Sequence, residues 1–289
     1  MKKPVFTGSS AAIITPFSDG HIDYAAMKRL IDLQRNAGTA AITVCGTTGE
    51  ASALSSQERQ ELIYFTKQNA GPMTVIAGSG SNSTEYAVRF SLDAQSAGAD
   101  AVLVVTPYYN KTSQEGLVEH YYAVADAVDL PVILYNVPSR TGMTITPETY
   151  RRLAGHPNIN GVKEASGSVP LAVAVLRDTD LNLWSGNDDL TVPLMCLGAK
   201  GVISVAANVI PAQMAKLAGL CLSGRYREAA EEQLRLSPLM EALFLDVNPI
   251  PVKAAAEILG LCSGQLRLPL RQLSEEKKKK LSDVLRAYA

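Results

Sequence analysis

Short apolar runs alternate with longer amphipathic stretches along most of this chain, and this alternation constrains the fold more than any other feature. Each run has four to six mostly apolar, often β-branched residues. The eight runs are residues 11–15, 41–45, 74–77, 101–106, 132–136, 160–164, 183–186 and 201–206. Such alternation is typical of repeated βα units around a parallel sheet. Eight units before residue 226 suit one barrel of about 250 residues, so we predict an α/β fold, a (β/α)8 TIM barrel.

Helix-end signals support the helical half of each unit. Asp23, the pair Ser55 and Ser56, and Ser83 stand before the first three amphipathic stretches, where helix N-caps belong. From residue 226 onward the strand pattern ends, and only helical stretches follow, at 226–244, 251–259 and 274–288. We therefore predict a barrel over residues 1–225 and a small C-terminal helical appendage over residues 226–289.

Composition excludes several classes of function. The 289 residues are 47% hydrophobic and 19% charged, so the chain can bury a large core. A formal net charge of -1 gives no general attraction to nucleic acid or to a membrane surface, so we expect a small-molecule partner. No apolar run approaches the roughly 18 residues that span a bilayer, and residues 7–10 interrupt any signal-peptide core. We expect a cytoplasmic protein.

The cysteine and histidine spacings predict neither a disulfide scaffold nor a metal site. The cysteines are widely separated without a Cys-x-x-Cys pair, and we expect them to be reduced core thiols. They are Cys45, Cys196, Cys221 and Cys262. The three histidines show no metal-ligand spacing and are expected on surfaces or helix faces.

Four runs end in polar segments that together predict an active site. They are Gly-Thr-Thr-Gly-Glu at 46–50, Thr-Pro-Tyr-Tyr-Asn at 106–110, Tyr-Asn-Val-Pro-Ser-Arg-Thr-Gly at 135–142 and Gly-Val-Lys-Glu at 161–164. In a parallel barrel the carboxyl ends of the strands meet on one face, where enzymes of this architecture place their catalytic groups.

Lys163 is the strongest catalytic candidate. It stands near the end of a predicted strand, where burial disfavours the charged ammonium and favours the neutral, nucleophilic amine. Desolvated lysines of this kind form Schiff bases with carbonyl substrates. The alternative is a lysine that extends to solvent at the barrel mouth or pairs with Glu164. The neighbouring strand ends favour catalysis.

The other strand ends carry groups that suit such chemistry. Tyr135 has a phenol that can exchange protons with an intermediate. The planar fork of Arg140 suits a substrate carboxylate, and Thr47 and Thr48 offer hydroxyl and backbone donors. Each has a structural alternative when taken alone: barrel core for Tyr135, a surface ion pair for Arg140 and a turn for the threonines. Their coincidence at separate strand ends favours a common site.

These motifs resemble the dihydrodipicolinate synthase branch of the N-acetylneuraminate lyase superfamily. The resemblance covers nearly the whole chain, including 108–109, 185–188, 201–205 and 248–253. The segment at 135–142 discriminates best, because sialic acid lyases usually lack its arginine and commonly read Gly-Ser-Thr-Gly-Glu at the first motif.

The resemblance implies a condensation of pyruvate with aspartate 4-semialdehyde, the entry step to diaminopimelate and lysine, without a cofactor. Lys163 would form the imine with pyruvate. The implied proton relay is Tyr135, Thr47 and Tyr109, with Tyr109 reaching the neighbouring subunit's site in a homotetramer built as a dimer of dimers. The implied substrate-binding residues are Thr48, Gly186 and Ile203 for pyruvate and Arg140 for the semialdehyde carboxylate.

The resemblance also implies a lysine-binding regulatory cleft at the dimer interface. Asn82 and Tyr108 match the expected residues. Tyr86 stands at the expected carboxylate position and Arg59 at the histidine position, so a negative partner is lost and a positive charge is added. We expect weak or absent inhibition by lysine, unless a one-residue shift of the helix presents Glu85.

Two other functions remain open at this point. A sister aldolase acting on N-acetylneuraminate or a 2-keto-3-deoxy sugar acid would keep Lys163 and Tyr135 but would not need Arg140. A non-catalytic barrel that senses a ligand would be expected to lose part of the relay, and all its members are present.

Overall fold

The computed structural model describes residues 2–288 and contains a closed barrel of eight parallel strands, which confirms the predicted architecture. A two-stranded antiparallel hairpin, formed by Phe17–Ser18 and His21–Ile22, lies outside the barrel. The strands are β1 Gly8–Ala12, β2 Phe17–Ser18, β3 His21–Ile22, β4 Ala41–Val44, β5 Thr74–Gly78, β6 Ala101–Val105, β7 Val132–Asn136, β8 Ile159–Glu164, β9 Asn182–Ser185 and β10 Gly201–Ser204. The barrel closes where β1 pairs with both β4 and β10.

Helices follow the barrel strands and continue into the C-terminal part. They are α1 Tyr24–Asn36, α2 Ser56–Asn69, α3 Thr84–Ser96, α4 Gln114–Ala127, α5 Pro138–Thr141, α6 Pro147–Ala154, α7 Val169–Asp178, α8 Thr191–Cys196, α9 Pro211–Leu222, α10 Tyr226–Ala242, α11 Ile250–Ile258 and α12 Glu275–Leu285. Of the predicted N-cap residues, Asp23, Ser55 and Ser83 each accept a backbone hydrogen bond at the start of α1, α2 and α3, while Ser56 is the first residue of α2. No helix within residues 2–288 is long and apolar enough to cross a membrane.

The first strand begins earlier than predicted, at Gly8 instead of residue 11. Small residues allow this close pairing, because a Cβ atom on Gly201 would lie 1.8 Å from the carbonyl oxygen of Gly8. The hydroxyl oxygens of Ser10 and Thr43 lie 3.0 Å apart. A search for apolar runs misses the start of such a strand, since its buried residues are glycine, serine and alanine.

Apolar side chains pack in two layers, one between the strands and the helices and a smaller one inside the barrel. Inside the barrel, the rings of Phe6 and Trp184 stack with centroids 5.2 Å apart, and the indole nitrogen donates to the carbonyl of Phe6. This packing joins the N-terminal segment to the barrel interior. Polar groups lie at the carboxyl ends of the strands.

The C-terminal helices pack against the barrel and against each other, with α10 on α8 and α9 and α12 on α10 and α11. We keep the division at residues 225 and 226 as a proposal, because it falls immediately before α10. The prediction of four core thiols is wrong for Cys196, which is exposed near the end of α8, while Cys45 and Cys221 are buried. Cys262 is half-buried.

Candidate active site

Two cavities open at the carboxyl ends of the strands, with volumes of about 500 and 430 Å³. Thr48, Tyr135, Arg140 and Lys163 line both. Gly186 lines the first cavity and Thr47 the second. The structure therefore brings six of the predicted site residues together, although they come from the ends of four different strands.

Lys163 lies in β8 and is only 6% exposed. It stands opposite Tyr135 of β7 in the strand register, and its Nζ atom lies 4.5 Å from the centroid of the tyrosine ring. Within residues 2–288, no carboxylate lies within ion-pair distance of this amine. A buried amine with an aromatic neighbour and access to a cavity is suited to attack a carbonyl carbon.

The alternative pairing of Lys163 with Glu164 is wrong. Side chains alternate along a strand, so Glu164 faces away from the barrel interior. Its carboxylate accepts hydrogen bonds from the amide nitrogen of Asn136 at 3.0 and 3.1 Å, from the Tyr150 hydroxyl at 3.0 Å and from the backbone of Ser166 at 2.7 Å. Burial, followed by the charge of Glu164, raises the pKa of Tyr150 well above its ordinary value. These bonds hold β7 and β8 together next to the Tyr135–Lys163 pair.

Gly186 leaves room for the lysine side chain. A Cβ atom at this position would lie 2.6 Å from the Cβ of Ala165 and 3.2 Å from the Cε of Lys163. Any larger residue would press on the amine or displace the loop, so glycine is required by this close approach.

Thr47 and Thr48 lie in a tight turn after β4, in which the Gly49 and Glu50 amides donate to the carbonyls of Gly46 and Thr47. The buried Thr48 hydroxyl oxygen accepts a hydrogen bond of 3.0 Å from the Asn248 side chain. The turn thus presents Thr48 to both cavities and Thr47 to the second one, and a residue of the C-terminal part of the chain holds it in place.

Arg140 lies in α5, the short helix after β7. Its Nη2 donates to the backbone carbonyl of Asn248 at 3.1 Å. In the part of the chain that the structure describes, Arg140 forms no ion pair with an acidic residue. The alternative of a surface ion pair is therefore wrong. Its remaining donors are free for a carboxylate in either cavity.

Two predicted site residues lie outside the cavity walls. Tyr109 is 92% exposed with a backbone φ of 71° and lines neither cavity of its own chain. Ile203 is fully buried in the apolar cluster inside the barrel, together with Tyr135. Their roles in the relay and in pyruvate binding stay predictions.

The residues of the expected regulatory cleft are only partly together. Arg59 and Tyr108 line the second cavity, and the guanidinium of Arg59 donates to the carbonyls of Ala51 and Gly78 and lies 4.2 Å from the ring centroid of Phe90. Burial lowers the pKa of this arginine. The remaining two are at the periphery: Tyr86 is exposed and stacks on Phe90, and the Asn82 carbonyl accepts from the side chain of Asn110.

Sequence reasoning gave no role to two buried residues of the first cavity, Asp188 and Asn248. Asp188 accepts from the backbone nitrogens of Val205 and Ala206 at 3.1 and 2.9 Å, which joins the loops after β9 and β10. Burial raises the pKa of Asp188. Both residues lie in segments that carried the family resemblance, and only the structure shows what they contact.

Comparisons with known proteins identify the family of the chain. The sequence model of the dihydrodipicolinate synthetase family matches residues 5–288. Two relatives named 4-hydroxy-tetrahydrodipicolinate synthase come from Thermoanaerobacter sp. (strain X514) and Acetivibrio thermocellus, at 48% and 45% identity. The first alignment covers 99% of this chain and 97% of the relative, and the second covers 100% and 99%.

Solved structures give the same result. Dihydrodipicolinate synthase from Aquifex aeolicus superposes with a TM-score of 0.96 at 44% identity, covering 98% of both chains. A structure described as the first monomeric dihydrodipicolinate synthase variant also has a TM-score of 0.96, at 43% identity over 98% of this chain and 97% of that chain. The chain therefore belongs to the dihydrodipicolinate synthetase family.

Proposed function

We propose that this chain condenses pyruvate with aspartate 4-semialdehyde to 4-hydroxy-tetrahydrodipicolinate, in the diaminopimelate route to lysine. The observation that carries the proposal is the buried amine of Lys163, 4.5 Å from the Tyr135 ring, in a cavity that also holds Arg140. The name shared by the curated relatives, 4-hydroxy-tetrahydrodipicolinate synthase, supports this product.

The reaction begins with attack of the Lys163 amine on the ketone carbon of pyruvate. Loss of water gives the imine, and loss of a methyl proton gives the enamine, whose carbon then attacks the aldehyde. The amino group of the semialdehyde then attacks the imine carbon, which closes the ring and expels the Lys163 amine. Tyr135, Thr47 and a partner subunit's copy of the exposed tyrosine at position 109 serve as the proton relay. No cofactor is needed, because the protonated imine itself accepts the electrons released with the methyl proton.

Substrate recognition divides between two carboxylates. Thr48 binds the carboxylate of pyruvate beside the amine, and Gly186 and the buried Ile203 complete the proposed pyruvate pocket. Arg140, whose free guanidinium donors face the cavities, holds the carboxylate of the semialdehyde.

We further propose a homotetramer, a dimer of dimers, that works in the cytoplasm. The exposure of Tyr109 is compatible with an assembled site, because a side chain that lines neither cavity of its own chain can reach the site of a neighbouring subunit. The description of one similar structure as a monomeric variant is consistent with assembly in its relatives.

The other two functions have less support. A sister aldolase for sugar-derived 2-keto acids would not need Arg140 at the cavity wall, and the relatives' names favour the synthase. A non-catalytic barrel would not need a buried amine facing a cavity.

Reductive trapping tests the mechanism. Pyruvate with borohydride should label Lys163 covalently, and peptide mapping should locate the adduct. Lys163→Ala should abolish both labelling and turnover, while Lys216→Ala, at an exposed lysine, serves as the matched control. Labelling at another lysine, or full activity of Lys163→Ala, would contradict the proposal.

An aldehyde panel tests the substrate. With pyruvate as the donor, aspartate 4-semialdehyde should be preferred over N-acetylmannosamine and glyceraldehyde. A preference for either sugar-derived aldehyde would support the sister aldolase instead.

A further inference from the structure

We propose that Asn248 is a positioning residue that fixes the Thr48 hydroxyl as a hydrogen-bond donor toward the carboxylate of pyruvate. The inference rests on the proposed function and assigns a role to a residue of the C-terminal appendage. It concerns pyruvate binding and leaves the identity of the aldehyde open.

Asn248 connects two strand-end loops of the site. It lies between α10 and α11, is 6% exposed and lines the cavity that holds Lys163. Its side-chain nitrogen donates to the hydroxyl oxygen of Thr48 at 3.0 Å, and its backbone carbonyl accepts from Arg140 at 3.1 Å. One residue of the appendage therefore contacts the groups proposed to bind each of the two substrates.

The direction of the Thr48 hydrogen bond determines what the hydroxyl can do. A hydroxyl has one proton and two acceptor lone pairs, whereas an amide nitrogen only donates. Because the Asn248 nitrogen occupies an acceptor site on Thr48, the hydroxyl proton remains available for another acceptor. Among the described contacts of Thr48, its hydroxyl donates to no protein atom. A carboxylate accepts only, so it is the complementary partner for this proton.

A second contact holds the same two segments together. Glu50, at the end of the Thr48 turn, forms an ion pair of 2.6 Å with Lys253 of α11, and both side chains are buried. The position of Asn248 therefore does not depend on its side-chain hydrogen bond alone. The bond from Arg140 goes to the backbone carbonyl, so a change of the Asn248 side chain removes the Thr48 contact and spares the Arg140 contact.

A double-mutant cycle between Thr48 and Asn248 tests the inference. Thr48→Val, Asn248→Ala and the double variant are compared by the pyruvate dependence of borohydride trapping, which needs no aldehyde. Asn248→Ala should raise the apparent KM for pyruvate about 2- to 12-fold, the range for one neutral hydrogen bond. In the Thr48→Val background the same change should have no further effect, and the KM for the semialdehyde should stay unchanged.

Asn248→Asp provides a variant of nearly the same shape, should Asn248→Ala fold poorly. A carboxylate only accepts hydrogen bonds, so the new carboxylate should accept one from the Thr48 hydroxyl. The hydroxyl proton is then not available to pyruvate, and the KM for pyruvate should rise. The double variant Thr48→Val/Asn248→Asp has no Thr48 hydroxyl, so its rise in KM over Thr48→Val measures the charge repulsion between the new carboxylate and pyruvate. This rise should be smaller than the rise that Asn248→Asp causes in the parent protein. Val247→Ala, at an exposed neighbour that lines neither cavity, should match the parent protein.

Three results would overturn the inference. Additive effects in the cycle would show that Asn248 does not act through Thr48. An equal rise in both KM values would indicate a general structural role, and an unchanged KM for pyruvate in both Asn248 variants would show that the bond is dispensable. If the parent protein traps pyruvate at Lys163 and the cycle is additive, only this inference fails. If the parent protein traps no pyruvate, the proposed function fails with it.

Discussion

Removal of the Lys253 ammonium should destabilise the fold strongly, because it leaves a buried carboxylate without its partner. The side chains of Lys253 and Glu50 are 0% and 1% exposed, and they meet at 2.6 Å. Lys253 also donates to the carbonyl of Gln265 at 2.6 Å, and Glu50 accepts from the backbone of Arg267 at 3.0 Å. Burial lowers the pKa of Lys253, and the charge of Glu50 opposes that shift.

The size of the effect follows from this burial. Breaking a buried ion pair by removing one partner costs about 3–5 kcal/mol, since the remaining charge stays desolvated. Lys253→Met keeps an unbranched apolar side chain near the Phe17 ring, which lies 4.1 Å from the lysine nitrogen. Each kcal/mol lowers Tm by about 2–4 °C in domains of 150–250 residues, so we expect a fall of roughly 6–20 °C.

The assay is thermal and urea unfolding at one fixed protein concentration, because subunit association shifts apparent stability. Glu50→Gln/Lys253→Met should recover much of the loss, since replacing both members of a buried pair is often nearly neutral. Lys278→Met is the matched control in the same appendage. Its partner Glu257 also lies at 2.6 Å, but both are about a third exposed, and such pairs contribute less than about 1 kcal/mol. A loss in Lys253→Met no larger than in this control, or no recovery in the double variant, would refute the reasoning.

Four further predictions concern substrate use, assembly, pH and regulation. Arg140→Ala should lower kcat/KM for the semialdehyde roughly 10- to 150-fold, the range for one charged hydrogen bond, while pyruvate trapping survives; unchanged kinetics would contradict its role. Tyr109→Phe should reduce turnover, and sedimentation of the active enzyme should show at least a dimer; a fully active monomer would exclude the shared site. Burial lowers the pKa of His120 from 6.5 to about 4 in the folded protein. On acidification the unfolded chain therefore binds a proton at this histidine before the folded protein does, and the free energy of unfolding should fall as the pH drops from 6.5 toward 4. His120→Gln should weaken this dependence in urea unfolding at several pH values, and an unchanged slope would argue against it. Lysine should inhibit weakly or not at all because of the added charge of Arg59, and strong inhibition at submillimolar lysine in a dose-response curve would overturn this.

Local sequence signals were sufficient to predict the barrel and most of its strands and helices. The predicted run 132–136 is strand β7 as observed, and Asp23, Ser55 and Ser83 cap the helices that they precede. These features depend on side chains within a few residues of one another, so they can be read from the chain without its tertiary contacts. The β2–β3 hairpin was not predicted, although its turn residues are an Asp-Gly pair, a known hairpin signal, and both adopt a positive φ in the structure.

The strand ends also indicated which residues gather at the barrel mouth, because parallel strands bring their carboxyl ends to one face. Five residues line both cavities, and four of them were predicted for the site: Thr48, Tyr135, Arg140 and Lys163. The fifth, Val137, was given no role. The sequence showed less clearly which face of its strand each side chain occupies. Lys163 faces the cavities and Glu164 is bonded away from them to Asn136, a distinction that needs the register of β7 on β8.

Only the tertiary structure decided how the C-terminal appendage takes part in the site. Asn248 meets Thr48, and Lys253 meets Glu50, across about 200 residues of chain. No local pattern encodes such contacts, because they depend on where α10 and α11 pack against the completed barrel. The sequence by itself determined the barrel and the polar strand ends through periodicity and short-range capping. The hydrogen-bond directions and buried charge pairs that organise those ends arise only when distant segments are packed together and water is excluded between them.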